Sequence, residues 1–167
     1  MKNHRYTYRL RTVDVQVSES FDHDTSIIGD PAVAEDFFRS IFRSYDADQE
    51  HFVLLAVDGR HRVIGYKVLS SGTRTQTPVD TARVFKIAIS LDADAILVAH
   101  NHPTGQPEPS RDDLELTRRL SRAGELLGIT VYDHVILAGP RCLSLRRARP
   151  ALFTPGATTL AEQEGIQ

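Results

Sequence analysis

One cysteine in 167 residues, Cys142, rules out an internal disulfide and cannot by itself build a thiolate metal site. A reducing, cytoplasmic setting is the expectation from that usage. No run approaches the ~18 apolar residues of a membrane span, and residues 1–10 lack the apolar core of a secretion signal, so no membrane role is expected. Charge of one sign is scarce as well: 20 Lys and Arg against 22 Asp and Glu give a net −2, which removes the global electrostatic case for nucleic acid. Basic clusters do occur, at Lys2, Arg5, Arg9 and Arg11 and again at Arg141, Arg146, Arg147 and Arg149. They leave DNA contact open, although such clusters more often form a solvated face. There are no internal repeats. The 41% hydrophobic and 25% charged fractions are those of an ordinary globular chain, long enough to bury the core of one domain without staples.

Within that frame the elements are readable in order. Tyr6, Tyr8, Leu10, Val13, Val15 and Val17 sit at strand-like positions, so residues 1–26 are read as an N-terminal arm or edge strand. Ser18 to Ile28 is polar, and His23, between two aspartates, reads as loop rather than ligand. Asp30-Pro31 supplies N-cap and first position of a helix that turns Ala34, Phe37, Phe38, Ile41 and Phe42 to one face. Glu50 to Val57 is nearly continuous in apolar residues, Asp58-Gly59-Arg60 is a turn, and Val63 to Leu69 is a second β-rich run. Together they predict a hairpin whose first strand is covered on both faces. Ser70 to Pro78 is a loop. A helix from Val79 directs Val84, Phe85, Ala88 and Ile89 inward, and Ala95 to Ala99 follows as a buried strand; strand, helix and strand at this length predict a crossover and a parallel pair. Ser110 to Leu127 is the clearest helix, with Leu114, Leu116, Leu120, Leu126 and Leu127 inward, Arg118, Arg119 and Arg122 outward, and Gly128 as its stop. Ile129 to Ala138 reads as another strand, interrupted at Asp133-His134. The domain is placed at residues 27–148, with residues 149–167 as a flexible C-terminal tail.

The chemistry gathers where the buried strand ends, at His100-Asn101-His102-Pro103. Residues two apart in an extended segment point to the same side, so the two imidazoles can share one ion. Asp113 follows after ten intervening residues, at the start of the long helix. Strand end, loop and helix start could thus supply three ligands and leave a fourth position free, the pattern of hydrolytic rather than structural zinc. The same Ser110 and Asp113 also read as the N-cap and N3 acceptor of an ordinary helix. Glu50 opens a buried strand, where a carboxylate packs poorly but can reach a site at the sheet edge; a solvated acid ending a loop accounts for it equally well. Asp112, next to Asp113, would take its place as ligand if the helix began one residue earlier. His134 could orient a ligand, with Asp133 as an acceptor, but the pair reads first as a structural feature of a strand bend. His51 and His61 read as incidental.

An upstream Glu50, then His100 and His102 with one residue between them, then Asp113 with Ser110 three before it, resembles the signature of the JAMM (MPN-plus) metallopeptidases. The runs His100 to Gly105, Pro109-Ser110, Leu114 to Leu120, Gly124 to Ile129 and Asp133-His134 further resemble the RadC-like JAB-domain family, over roughly residues 27–145. That resemblance implies an α/β fold, a three-layer α-β-α sandwich with a mixed sheet, the JAB/MPN fold similar to that of cytidine deaminase. It implies Zn2+ held by His100, His102 and Asp113 with a water as fourth ligand, Glu50 as general base and Ser110 helping to hold the oxyanion. The activity implied is that of a zinc-dependent hydrolase attacking an amide or isopeptide carbonyl in a peptide or protein. The family's DNA-repair label implies the alternative, a nucleic-acid-associated module whose metal site is structural or vestigial. Two departures stand out. Where the family usually carries Val-His-Pro-Arg-Glu, this chain has Val79-Asp80-Thr81-Ala82-Arg83, and residues 1–26 do not resemble the helix-hairpin-helix region of longer members. Oligomeric state is left open.

Overall fold

The computed structural model of the chain describes residues 27–28, 30–72 and 79–153. The arm expected over residues 1–26, with His23 and the first basic cluster, lies outside the described residues. Helix α1 spans Pro31–Phe42; the Asp30 carboxylate accepts from the Ala32 N–H, and Ala34, Phe37, Phe38 and Ile41 are buried. Strands β1, Glu50–Val57, and β2, Val63–Gly72, form the antiparallel hairpin. Asp58 closes its turn by accepting from the backbone N–H groups of Arg60 and Arg62 and from the Arg62 guanidinium. Helix α2, Thr81–Ser90, is capped by Asp80, which takes the N-cap in the segment that departs from the family pattern. Then come β3, Ala95–Asn101, and α3, Arg111–Leu127, followed by β4, Thr130–Ala138, and β5, Arg141–Ser144. A single turn α4, Leu145–Ala148, and a 3-10 turn, Pro150–Phe153, complete the described chain.

The strands form one mixed sheet in the order β2-β1-β3-β4-β5. Among the described residues only β3 and β4 pair in parallel, and α3 makes that crossover. The parallel pair expected from α2 is therefore supplied by the next helix: α2 carries the chain past β1, so the strands it joins, β2 and β3, are not neighbours. Helix α1 covers one face, packing with Val53, Leu55, Val57, Leu97 and Ala99. Helices α2 and α3 cover the other, with Phe52, Leu54, Ile96 and Val98. This is the α-β-α sandwich, and coverage from both sides explains why β1 and β3 read as unbroken apolar runs.

Three expectations need correction. Ile89 is 57% exposed, and Leu126 and Leu127 are 88% and 50% exposed, so the inward faces are Val84, Phe85 and Ala88 on α2 and Leu116, Thr117, Leu120 and Gly124 on α3. The core also continues past residue 148, because Leu152 and Phe153 are buried in the cluster beneath α3. No helix among the described residues is long and apolar enough to cross a membrane.

Candidate metal centre

At the end of β3 the sheet alternation turns Ile96, Val98 and His100 to the α3 side, and His102 continues that series. The Nε2 atoms of His100 and His102 face each other at 2.9 Å. Asp113, in the first turn of α3, brings Oδ1 to 3.3 Å from His100 Nε2 and Oδ2 to 3.7 Å from His102 Nε2. One ligand atom from each of the three lies within 4.8 Å of the others. Asp112 is exposed beside them, and the helix phase selects Asp113. His102 is anchored twice. Its backbone N–H donates to Leu137 at 2.7 Å, and its Nδ1 stands 2.7 Å from the Gln106 carbonyl, which can only accept. In the neutral ring the proton of His102 therefore sits on Nδ1, which leaves the Nε2 lone pair for a ligand.

Helix capping and the placement of this candidate ligand are one arrangement. Ser110 donates both its N–H, at 2.7 Å, and its hydroxyl, at 2.6 Å, to Asp113 Oδ2, while the Asp113 N–H returns a bond to the Ser110 hydroxyl. This capping box holds the carboxylate with Oδ1 turned toward the imidazoles. The Ser110 hydroxyl proton here points to Asp113.

Electrostatics follow from that crowding. Burial presses the His100 imidazole down to about 4, against the pull of the Asp113 carboxylate and with some help from His102. His102 is raised, chiefly by its contact with Asp113. Burial alone would raise Asp113, but the two imidazoles and the Ser110 bonds outweigh it and hold the carboxyl well below the usual range. Glu50 stands at the exposed first position of β1, and partial burial of its carboxyl raises its pKa; His102 opposes the shift and Asp113 adds to it. Glu50 therefore shares the field of the cluster.

Other residues are placed less directly by the sequence. Asn101, between the two histidines, donates to the Gln49 carbonyl and accepts from the His51 N–H, each at 2.7 Å. It clamps the backbone on both sides of Glu50, and nothing in the sequence announces this. Thr117 and His134 form a buried chain behind His100: Thr117 Oγ1 is 2.7 Å from His134 Nδ1, and His134 Nε2 is 2.8 Å from His100 Nδ1. Asp133 faces elsewhere, taking bonds from the Ser144 hydroxyl and the Arg146 and His134 N–H groups, so it is not the acceptor behind a ligand. His61 meets Tyr132, and His51 meets the Asp46 carbonyl, away from the cluster. Of the second basic cluster, Arg141 donates to the Gly105 carbonyl of the site loop. Arg146 donates to the Tyr132 and Val131 carbonyls and lies over the Phe153 ring. Both serve the fold.

The chain is similar to known proteins over most of the described residues. The family model described as RadC-like JAB domain matches residues 28–150. Among curated relatives, a UPF0758 protein of Geotalea uraniireducens is 41% identical over 126 residues, covering 75% of this chain and 53% of the relative. One from Finegoldia magna is 40% identical over 125 residues, 74% of this chain and 55% of the relative. A third, from Geobacter sulfurreducens, is 43% identical over 99 residues, 59% of this chain and 43% of its own length. The chain thus spans about half the length of the relatives it matches. With the whole described sheet and the His-His-Asp cluster inside the matched span, the chain belongs to the RadC-like JAB-domain family.

Proposed function

We propose that the chain is a zinc-dependent hydrolase of the JAMM type, acting on an amide or isopeptide carbonyl in a peptide or protein. One observation carries the proposal: two imidazole nitrogens 2.9 Å apart with a carboxylate oxygen 3.3 Å from one of them. These three groups converge closely enough to hold one cation, which would relieve the repulsion between the facing nitrogens and draw in the carboxylate. Two neutral imidazoles and a carboxylate, with no thiolate, suit zinc and leave room for a fourth ligand. Zinc bound there would lower the pKa of a water and polarise a carbonyl.

The remaining work falls to the chain's own groups. Glu50, with its pKa raised by burial, is suited to accept a proton and pass it to a leaving amine. Asn101 fixes the strand start from which Glu50 projects. Ser110 orients Asp113, and if its hydroxyl turns to a substrate oxygen, the Ser110 N–H still holds the carboxylate.

Metal analysis with a fluorogenic amide library tests the reading. The wild-type chain is expected to carry one zinc, and His100→Ala, His102→Ala and Asp113→Ala to carry none. Glu50→Gln is expected to keep zinc while losing hydrolysis. A full complement of zinc in the double histidine variant would end the proposal.

A further inference from the structure

We infer that His134 and Thr117 are positioning residues for the metal centre, a buried relay that fixes the tautomer of His100 so that its Nε2 presents a lone pair to the ion. The inference rests on the zinc reading above and deepens it. The chain of bonds has a direction that chemistry dictates. Thr117 Oγ1 lies 2.6 Å from the Asp113 carbonyl, which can only accept, so the single hydroxyl proton of Thr117 points there. Its oxygen must then accept the bond from His134 Nδ1, at 2.7 Å, which puts the proton of His134 on Nδ1. His134 is fully buried, and in its neutral form the proton on Nδ1 makes Nε2 an acceptor, so the 2.8 Å bond to His100 runs from His100 Nδ1–H. The only nitrogen of His100 left for a ligand is Nε2. That atom faces His102 and Asp113.

The backbone contains a device for this. Pairing between β3 and β4 runs Ile96 with Val131 and then Leu97 with Asp133, so Tyr132 is an extra residue in β4. Strict alternation from buried Val131 would have sent Asp133 toward α3. The bulge reverses the faces beyond it, placing His134 with Ile136 on the α3 side. Phe52 then seals the relay, its ring parallel to His100 at 6.2 Å and edge-on to His134 at 5.6 Å. His134 thus does for His100 what the Gln106 carbonyl does for His102, with Thr117 tying the relay to the backbone of the third ligand.

The test is Thr117→Val, which leaves the three ligand side chains in place and removes, besides the acceptor for His134, only a bond to the Asp113 backbone carbonyl. Without the hydroxyl acceptor, the His134 proton is free to move to Nε2 and donate to His100, forcing the His100 proton onto Nε2. Zinc affinity, read by chelator competition, is expected to fall roughly 10–100-fold. His134→Leu should do the same, whereas His134→Gln, whose amide oxygen can accept from His100 Nδ1–H, should recover most of the loss. Phe38→Leu, across the sheet, serves as a control that costs stability without changing affinity. Equal zinc affinity in wild type, Thr117→Val and His134→Leu, or no advantage of Gln over Leu, would overturn the relay. Imidazole 15N shifts of the metal-free chain separate this inference from the zinc reading. A wild type that binds no zinc defeats the hydrolase proposal, while the His100 proton at Nδ1 in wild type and displaced in Thr117→Val still supports the relay. A His100 proton at Nε2 in the wild type overturns it.

Discussion

Asp113 illustrates how much one side chain can carry. Oδ2 takes both bonds from Ser110 and so caps the start of α3, and Oδ1 is left 3.3 Å from His100. Capping and ligation, which compete as readings of Ser110 and Asp113, are compatible because a carboxylate has two oxygens. The residues of the cluster were legible because their spacing is local: one strand end, one loop, one helix start. His134, Thr117 and Asn101 were not, because their partners are chosen by strand register, by the β4 bulge and by the phase of α3. Cys142 makes a separate point at this scale. Burial, reinforced by the Glu35 carboxylate that accepts from the thiol, pushes Cys142 up to about 12. The folded chain keeps a proton that the unfolded chain gives up near 9, so this stabilisation is complete below that value and is lost as pH climbs toward 12. At pH 8 the native thiol should react slowly with a disulfide reagent and fast in urea, and Cys142→Ser should lose less stability than wild type between pH 8 and 10. Equal reaction rates with and without urea would contradict the assignment.

Among the elements, α3 shows where periodicity informs and where it misleads. Its buried stripe is Leu116, Thr117, Leu120 and Gly124, and Leu126 lies about 200° around the helix from Gly124, so it faces out. Counting leucines near the C-terminus could not detect this, because the last turn runs beyond the surface it packs on. Gly124 sets how closely α3 approaches the sheet. A Cβ there would collide with the Ile129 carbonyl oxygen and come within 3.1 Å of Val131 and 3.4 Å of Phe85. Helix propensity favours Ala over Gly by about 1 kcal/mol, and the collision opposes it with a backbone atom that cannot rotate away. Gly124→Ala is therefore expected to destabilise by about 1–3 kcal/mol in urea unfolding. Leu126→Ala should stay within about 0.5 kcal/mol of wild type. A stabilised Gly124→Ala would mean that α3 stands further from β4 than described.

For the molecule as a whole, fold class and element order could be read because each strand and helix carries its own period, and sheet order could not. Nothing local tells α2 to carry the chain past β1 while α3 joins neighbouring strands. At the C-terminus the buried core takes in Leu152 and Phe153, and the rest of the expected tail, residues 154–167, lies outside the described residues. Pro150 and the polar composition after it suggested a tail, but two apolar residues suffice to dock a turn when a groove awaits them. Leu152 and Phe153 fill the cluster beneath α3, and Arg146, tied to the Val131 and Tyr132 carbonyls, holds its guanidinium carbon 4.6 Å from the Phe153 ring centre. This turn closes the same core that supports α3 and, through α3, Asp113 and Thr117. Phe153→Ala should therefore cost about 3–5 kcal/mol, as for a buried aromatic, and lower the thermal midpoint accordingly. An exposed tail residue would change it by less than about 0.5 kcal/mol. A Phe153→Ala chain that melts with wild type would return the edge of the domain to residue 148 and leave α3 supported by α2 and the sheet alone.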